Sequence, residues 1–132
     1  MASRITASFN LRGDDLDPAE VTRSLGIDPT DEHRKGEDRS GPRFKGTWPH
    51  GWWSLESALP QSEAFEAHVE WLFEKLEPKR GAIQEILQNG CTADLYIGFF
   101  SDCDQVGIRV SAKLVERIAK LGAHLDLSGY AS

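Results

Sequence analysis

Between His33 and Lys45 the chain carries Arg34, Lys35, Arg39, Arg43 and Lys45 against only Glu37 and Asp38, a local excess of +3 in a chain of net charge −6. That run leads directly into Trp48 and Trp52. Planar guanidinium groups and ammonium groups beside indole rings can hold an anionic, aromatic or nucleotide-like ligand, through cation–π contact and charge-assisted hydrogen bonds. Lys35, Arg43, Lys45, Trp48 and Trp52 are therefore the candidate ligand-binding residues. The plainer reading of the same residues is a solvated loop whose tryptophans pack internally.

Catalytic chemistry finds less support. His33, His50, His68 and His124 show no metal-ligand spacing with one another or with Cys91 and Cys103. His68 falls on a helix flank and reads as solvated. Ser54 and Ser57 lack the strand-turn-helix context of an activated serine. Asp102 and Asp104 around Cys103 read as a polar hairpin turn. Gly13-Asp14-Asp15 reads as another turn, since acidic side chains would repel a phosphate. No cofactor motif and no metal site is expected.

Alternation supplies the elements that must position the candidate residues. Ile5, Ala7, Phe9 and Leu11 alternate with polar residues over 4–12, and Cys91, Ala93, Leu95, Ile97 and Phe99 do so over 91–99, so both stretches predict half-buried strands. Three of the four tryptophans lie in 46–55, and extended geometry sends Trp52 and Trp53 to opposite faces, Trp53 with Leu55 toward the core. Asp17-Pro18-Ala19-Glu20 is a capping box opening a helix that stops at Gly26. Ser62 is the expected cap of a helix with Phe65, Val69, Leu72, Phe73 and Leu76 inward. Ile83, Ile86 and Leu87 mark a shorter helix ending at Asn89-Gly90. Residues 106–110 are expected to pair back as a hairpin partner of 91–99. Ser111 caps a last helix with Leu114, Val115, Ile118 and Leu121 inward, and 123–127 is a final strand. The stretch from Ile27 to Lys45 has no apolar period and reads as a loop.

Each half of the chain runs strand, aspartate-rich turn, helix ending in Leu-Gly, strand. The fold expected from this is α+β over residues 1–132 as one domain. It is a two-layer sandwich with a largely antiparallel sheet and helices on one face, a ferredoxin-like arrangement of two split βαβ-like halves. The other sheet face would present Asn10, Trp52, Tyr96, Arg109, His124 and Asp126. Of these, Tyr96, Arg109, His124 and Asp126 are the candidate partner surface. Exposed aromatics there also suit a homodimer; the bland alternative is the wet side of an antiparallel sheet.

The strings Asp15-Leu16-Asp17-Pro18-Ala19-Glu20-Val21-Thr22, Leu25-Gly26-Ile27-Asp28-Pro29-Thr30, Lys35-Gly36, Trp53-Ser54-Leu55 and Leu121-Gly122-Ala123-His124-Leu125-Asp126, taken in this order, resemble the bacterial domain of unknown function 4279 family. The resemblance covers most of the chain. It implies the fold and carries no activity with it.

Composition sets the outer bounds. With 27% charged and 39% apolar residues the chain resembles ordinary soluble domains. Its net negative charge argues against generic binding to nucleic acid or anionic membranes. The N-terminus lacks the apolar core of a signal peptide, and no apolar run approaches the ~18–20 residues of a membrane span. Two cysteines without a ligand pattern suggest a reducing cytoplasm. The expected function is a non-catalytic binding or interaction module, its partner an unknown protein or an anionic small molecule. Two alternatives stay open: a small acidic immunity or defence protein that neutralises a basic partner, and an enzyme acting on a phosphorylated small molecule.

Overall fold

Along Arg4–Gly13 (β1) the side chains obey the period of two: Ala7, Phe9 and Leu11 are fully buried, while Arg12 is exposed. This strand belongs to a computed structural model that describes residues 4–39, 46–101 and 108–131. The further elements are Pro18–Leu25 (α1), Asp31–His33 (β2), Gly51–Glu56 (β3), Phe65–Leu76 (α2), Arg80–Gln88 (α3), Thr92–Ser101 (β4), Ala112–Leu121 (α4) and Ala123–Ala131 (β5). A single 3-10 turn at Glu77–Lys79, containing Pro78, joins α2 to α3. Among the described residues no helix is long and apolar enough to cross a membrane.

The strands form one mixed sheet in the order β2-β3-β1-β4-β5. β1 pairs antiparallel with β3 and with β4, and β2 pairs antiparallel with β3. Consequently β1 and β2 run the same way with β3 between them, and β3 and β4 run the same way with β1 between them. The C-terminal half differs from the split unit expected of it. β4 and β5 are direct parallel neighbours joined through α4. β1 takes one edge of β4, and β5 takes the other. Residues 108–110, expected in a hairpin strand, run without strand pairing, with Ile108 and Val110 tucked against the core.

One sheet face and the buried sides of all four helices share a single core, built on Phe9, Leu11, Trp53, Leu72, Phe73, Leu76, Ile83, Leu95, Ile97 and Leu121. Leu125, on the final strand, is half-buried against this cluster. Val115 is 51% exposed, because the inward stripe of α4 is Leu114, Ile118 and Leu121, and Val115 lies one residue off it. His68 is only 1% exposed, a correction to its reading as solvated. It falls on the stripe of Phe65, Val69 and Leu72, and its Nδ1 lies 2.8 Å from Ser57 Oγ. Ser62 caps nothing, since α2 starts later, after Ala64.

The α1 N-terminus keeps the expected Asp17 cap but not the full capping box, since the Glu20 carboxylate accepts from Arg23 Nη1 at 2.6 Å. Asp17 Oδ1 accepts from the Ala19 N–H at 3.0 Å, Pro18 occupies the first turn, and Gly26 closes the helix at φ 66°. The same carboxylate oxygen receives Arg34 Nη1 at 3.0 Å. Asp17→Ala is expected to lower stability by about 0.5–2 kcal/mol in urea melts; an unchanged midpoint would remove the cap from the account. Trp53 Nε1–H donates to Thr22 Oγ1 at 3.1 Å and pins α1 onto β3. Gly51 permits this approach, because a Cβ there would stand 2.1 Å from the Leu16 carbonyl oxygen.

Candidate functional site

The site lies on the sheet face away from the helices. Parity along β3 sends Trp53 and Leu55 into the core and turns Trp52, Ser54 and Glu56 outward. Register then sets their neighbours. On β1, Arg12, Asn10 and Ser8 stand opposite Trp52, Ser54 and Glu56. On β2, His33 and Asp31 stand opposite Trp52 and Ser54. On β4, Asp94 and Tyr96 stand beside Asn10 and Ser8.

Rings stack at one end of this face. The His33 ring lies 3.5 Å from that of Trp48 at 13°, and 6.0 Å from that of Trp52 at 5°. Arg39 covers the outer side, its guanidinium carbon 4.4 Å from the Trp48 ring centre. The segment supplying Trp48 and Arg39 is held by backbone bonds. Gly36 N–H donates to the Trp48 carbonyl, Trp48 N–H to that of Glu37, and Arg39 N–H to that of Gly46. The described part of the presumed loop is thus a laced excursion between β2 and β3.

His33 is 7% exposed, and its buried Nε2 has no hydrogen-bond partner among the described residues. Burial holds its pKa below the ordinary 6.5, with His50 and Arg39 acting the same way and Asp31 and Glu37 opposing. The unfolded chain therefore takes up this proton at higher pH than the folded one. Stability contributed by neutral His33 is present above about pH 6.5 and is lost as pH falls through the lower folded value. Denaturant midpoints measured between pH 7.5 and 5 should fall more for the wild type than for His33→Phe, which keeps a ring and cannot titrate. Parallel curves would refute this.

A cavity of about 390 Å³ opens beside the stack. Its floor is small and polar: Thr6, Ser8, Asn10 and Ser54. Large side chains stand around it, with Trp52 at one end, Glu56 about 13 Å along the same strand, Tyr96 on the β4 side and Asp31 on the β2 side. Asn10 and Ser54 are 6% and 7% exposed, and Ser54 Oγ donates to Asn10 Oδ1 at 2.6 Å. Gly98 keeps the Tyr96 ring low on the sheet, since a Cβ there would come within 3.3 Å of that ring and 2.8 Å of Thr6 Oγ1.

The sequence candidates fare unequally. Trp48 and Trp52 come together in the stack, and Tyr96 walls the cavity. Lys35 is exposed on the turn after β2; the described cation over Trp48 is Arg39. Arg43 and Lys45 lie outside the described residues, as do Asp102, Cys103 and Asp104. His124 and Asp126 are exposed on β5, beside Asp94 and Tyr96, and so are a strand removed from the floor. Arg109 is exposed but belongs to no strand, so its expected place on the sheet face is corrected: residues 108–110 never enter the ladder. Sequence reasoning missed His33, Arg39, Asp31 and Glu56 as members of the site. Glu56 was legible from the parity of β3, whereas Asp31 and His33 depended on a strand that no apolar pattern announces.

Nucleophiles elsewhere are poorly placed. Cys91 lines a second cavity, about 320 Å³, between α1 and α3. Burial, and then Asp15, pushes its thiol up, which keeps it protonated and unreactive. Ser57 meets a histidine whose other nitrogen is sealed in the core. No group of three His, Cys, Asp or Glu capable of holding a metal gathers among the described residues.

The family model described as Domain of unknown function (DUF4279) matches residues 3–132, essentially the whole chain. The chain belongs to this family. No curated protein and no solved structure matches it. Membership in DUF4279 accounts for the fold strings from Asp15 to Asp126 and leaves the chemistry to the residues on the open face.

Proposed function

We propose that the protein is a non-catalytic binding module whose ligand site is the cavity beside Trp52, with the Trp48–His33–Trp52 stack as its rim. The supporting architecture is, in this reading, a two-layer ferredoxin-like sandwich extended by α4 and β5. Helices cover one face of the sheet and leave the other for the ligand. The observation that carries the reading is the Asn10–Ser54 pair, sunk at the bottom of an open cavity with aromatic walls. On a plain wet sheet face two short polar side chains would be hydrated; here Trp52 and Tyr96 rise around them. A concave site of a few hundred Å³ with rings and a few converging polar groups is the usual form of a small-ligand site. Binding is preferred to catalysis because Cys91 and Ser57 open onto other places, while Ser54 in the cavity gives its proton to the Asn10 amide oxygen, which is no general base.

The test is a thermal-shift screen of chemically diverse small molecules against wild type and Trp52→Ala. A compound class that raises the wild-type melting temperature and leaves the variant unmoved is the expected result. If no class behaves so, the binding reading falls.

A further inference from the structure

The charge around this cavity is opposite to that of the loop that leads to it. Asp31 and Glu56 both line it, and no lysine or arginine does among the described residues. Neither carboxylate makes an ion pair among the described residues; of the arginines around the site, Arg12 lies 3.9 Å from Asp94, Arg34 pairs with Asp17, and Arg39 sits on Trp48. We propose that the cavity binds a cationic group, an ammonium or a guanidinium, between Trp52, Tyr96, Asp31 and Glu56. This rests on the binding reading above and gives it a ligand class.

Four features converge on positive charge. Aromatic ring faces are negative and attract ammonium and guanidinium groups, most strongly where water is partly excluded. The two carboxylates stand on different walls, so a ligand carrying several N–H groups can donate to either or span both. Ser54 spends its hydroxyl proton on Asn10 at 2.6 Å, which leaves its oxygen lone pairs facing the cavity as acceptors for N–H donors. This acceptor is nine-tenths buried, so it is held in place before any ligand arrives. Finally, the net charge of −6 draws cations toward the surface as a whole and repels anions. The anionic ligand suggested by the loop would have to enter between Asp31 and Glu56. None of the described loop cations lines the cavity.

The same chemistry is offered by a free polyamine and by a lysine or arginine side chain of a partner protein. Isothermal titration with spermidine and with a tetra-arginine peptide separates these sources, with glucose and AMP as neutral and anionic comparators. Saturable binding of spermidine or the peptide is expected. It should weaken at least tenfold in Trp52→Ala and in the double variant Asp31→Asn/Glu56→Gln, and fall steadily with added salt. The double variant Glu63→Gln/Glu66→Gln removes equal charge from exposed positions at and just before the start of α2 and should bind as the wild type does. Equal weakening there would mean diffuse attraction to an acidic protein and would overturn the proposal. Trp52-dependent binding of glucose or AMP, with none of either cation, would overturn the charge assignment and leave the binding module standing. Binding of no probe in a Trp52-dependent way overturns this proposal; the module itself is then judged by the broader thermal-shift screen.

Discussion

Trp53→Ala should destabilise the protein by about 3–5 kcal/mol, the range for removing a fully buried large aromatic. Trp53 has no exposed surface, sits on β3 among the core residues, and supplies the one hydrogen bond by which its ring grips Thr22 of α1. Its loss leaves a cavity at the junction of helix and sheet, together with an unpaired Thr22 hydroxyl. Urea unfolding followed by far-UV circular dichroism measures this directly. A loss under about 1 kcal/mol would mean that α1 and β3 do not depend on the indole. Trp53→Phe separates the two contributions, since it restores most of the volume and none of the hydrogen bond.

Leu95→Ala comes next, at about 2–5 kcal/mol. Leu95 is 1% exposed on β4, with Phe9 of β1 on one side and Leu125 of β5 on the other. The neighbours are themselves held by strand pairing, so the gap cannot close easily. The effect should therefore fall in the upper part of that range. A variant that keeps the wild-type midpoint would count against the assigned face of β4.

Both residues were legible in the sequence because alternation is a local signal. Ala7, Phe9 and Leu11 on one strand and Ala93, Leu95 and Ile97 on another declare their face without any knowledge of the partner. The Asp17 cap and the glycines at 26 and 122 set helix ends by the same kind of short-range chemistry. His68 was also legible, three residues after Phe65 and four before Leu72, and only its polarity hid it. β2 was not legible. Asp-Glu-His has no apolar period, and its pairing with β3 rests on backbone groups. With it went Asp31 and His33, which is why the sequence pointed to the loop cations while the cavity took its charge from the opposite sign. Ile108-Arg109-Val110 erred the other way. Its alternation suits a strand, but both edges of β4 are occupied by β1 and β5, chain segments too distant for any local pattern to reveal.

The central place of β1 governs how the molecule comes into being. This strand is translated before both of its neighbours, and Arg4 meets Phe100 only after most of the chain has left the ribosome. A nascent chain ending before β4 would present the Ala7–Phe9–Leu11 row half uncovered, with a bare edge able to pair with another chain. The sheet can close only once β4 is available, through contacts between distant parts of the chain. Such closure is slow compared with helix formation, on the order of milliseconds to seconds. Until then the open edge of β1 is the part of the chain most exposed to wrong pairing.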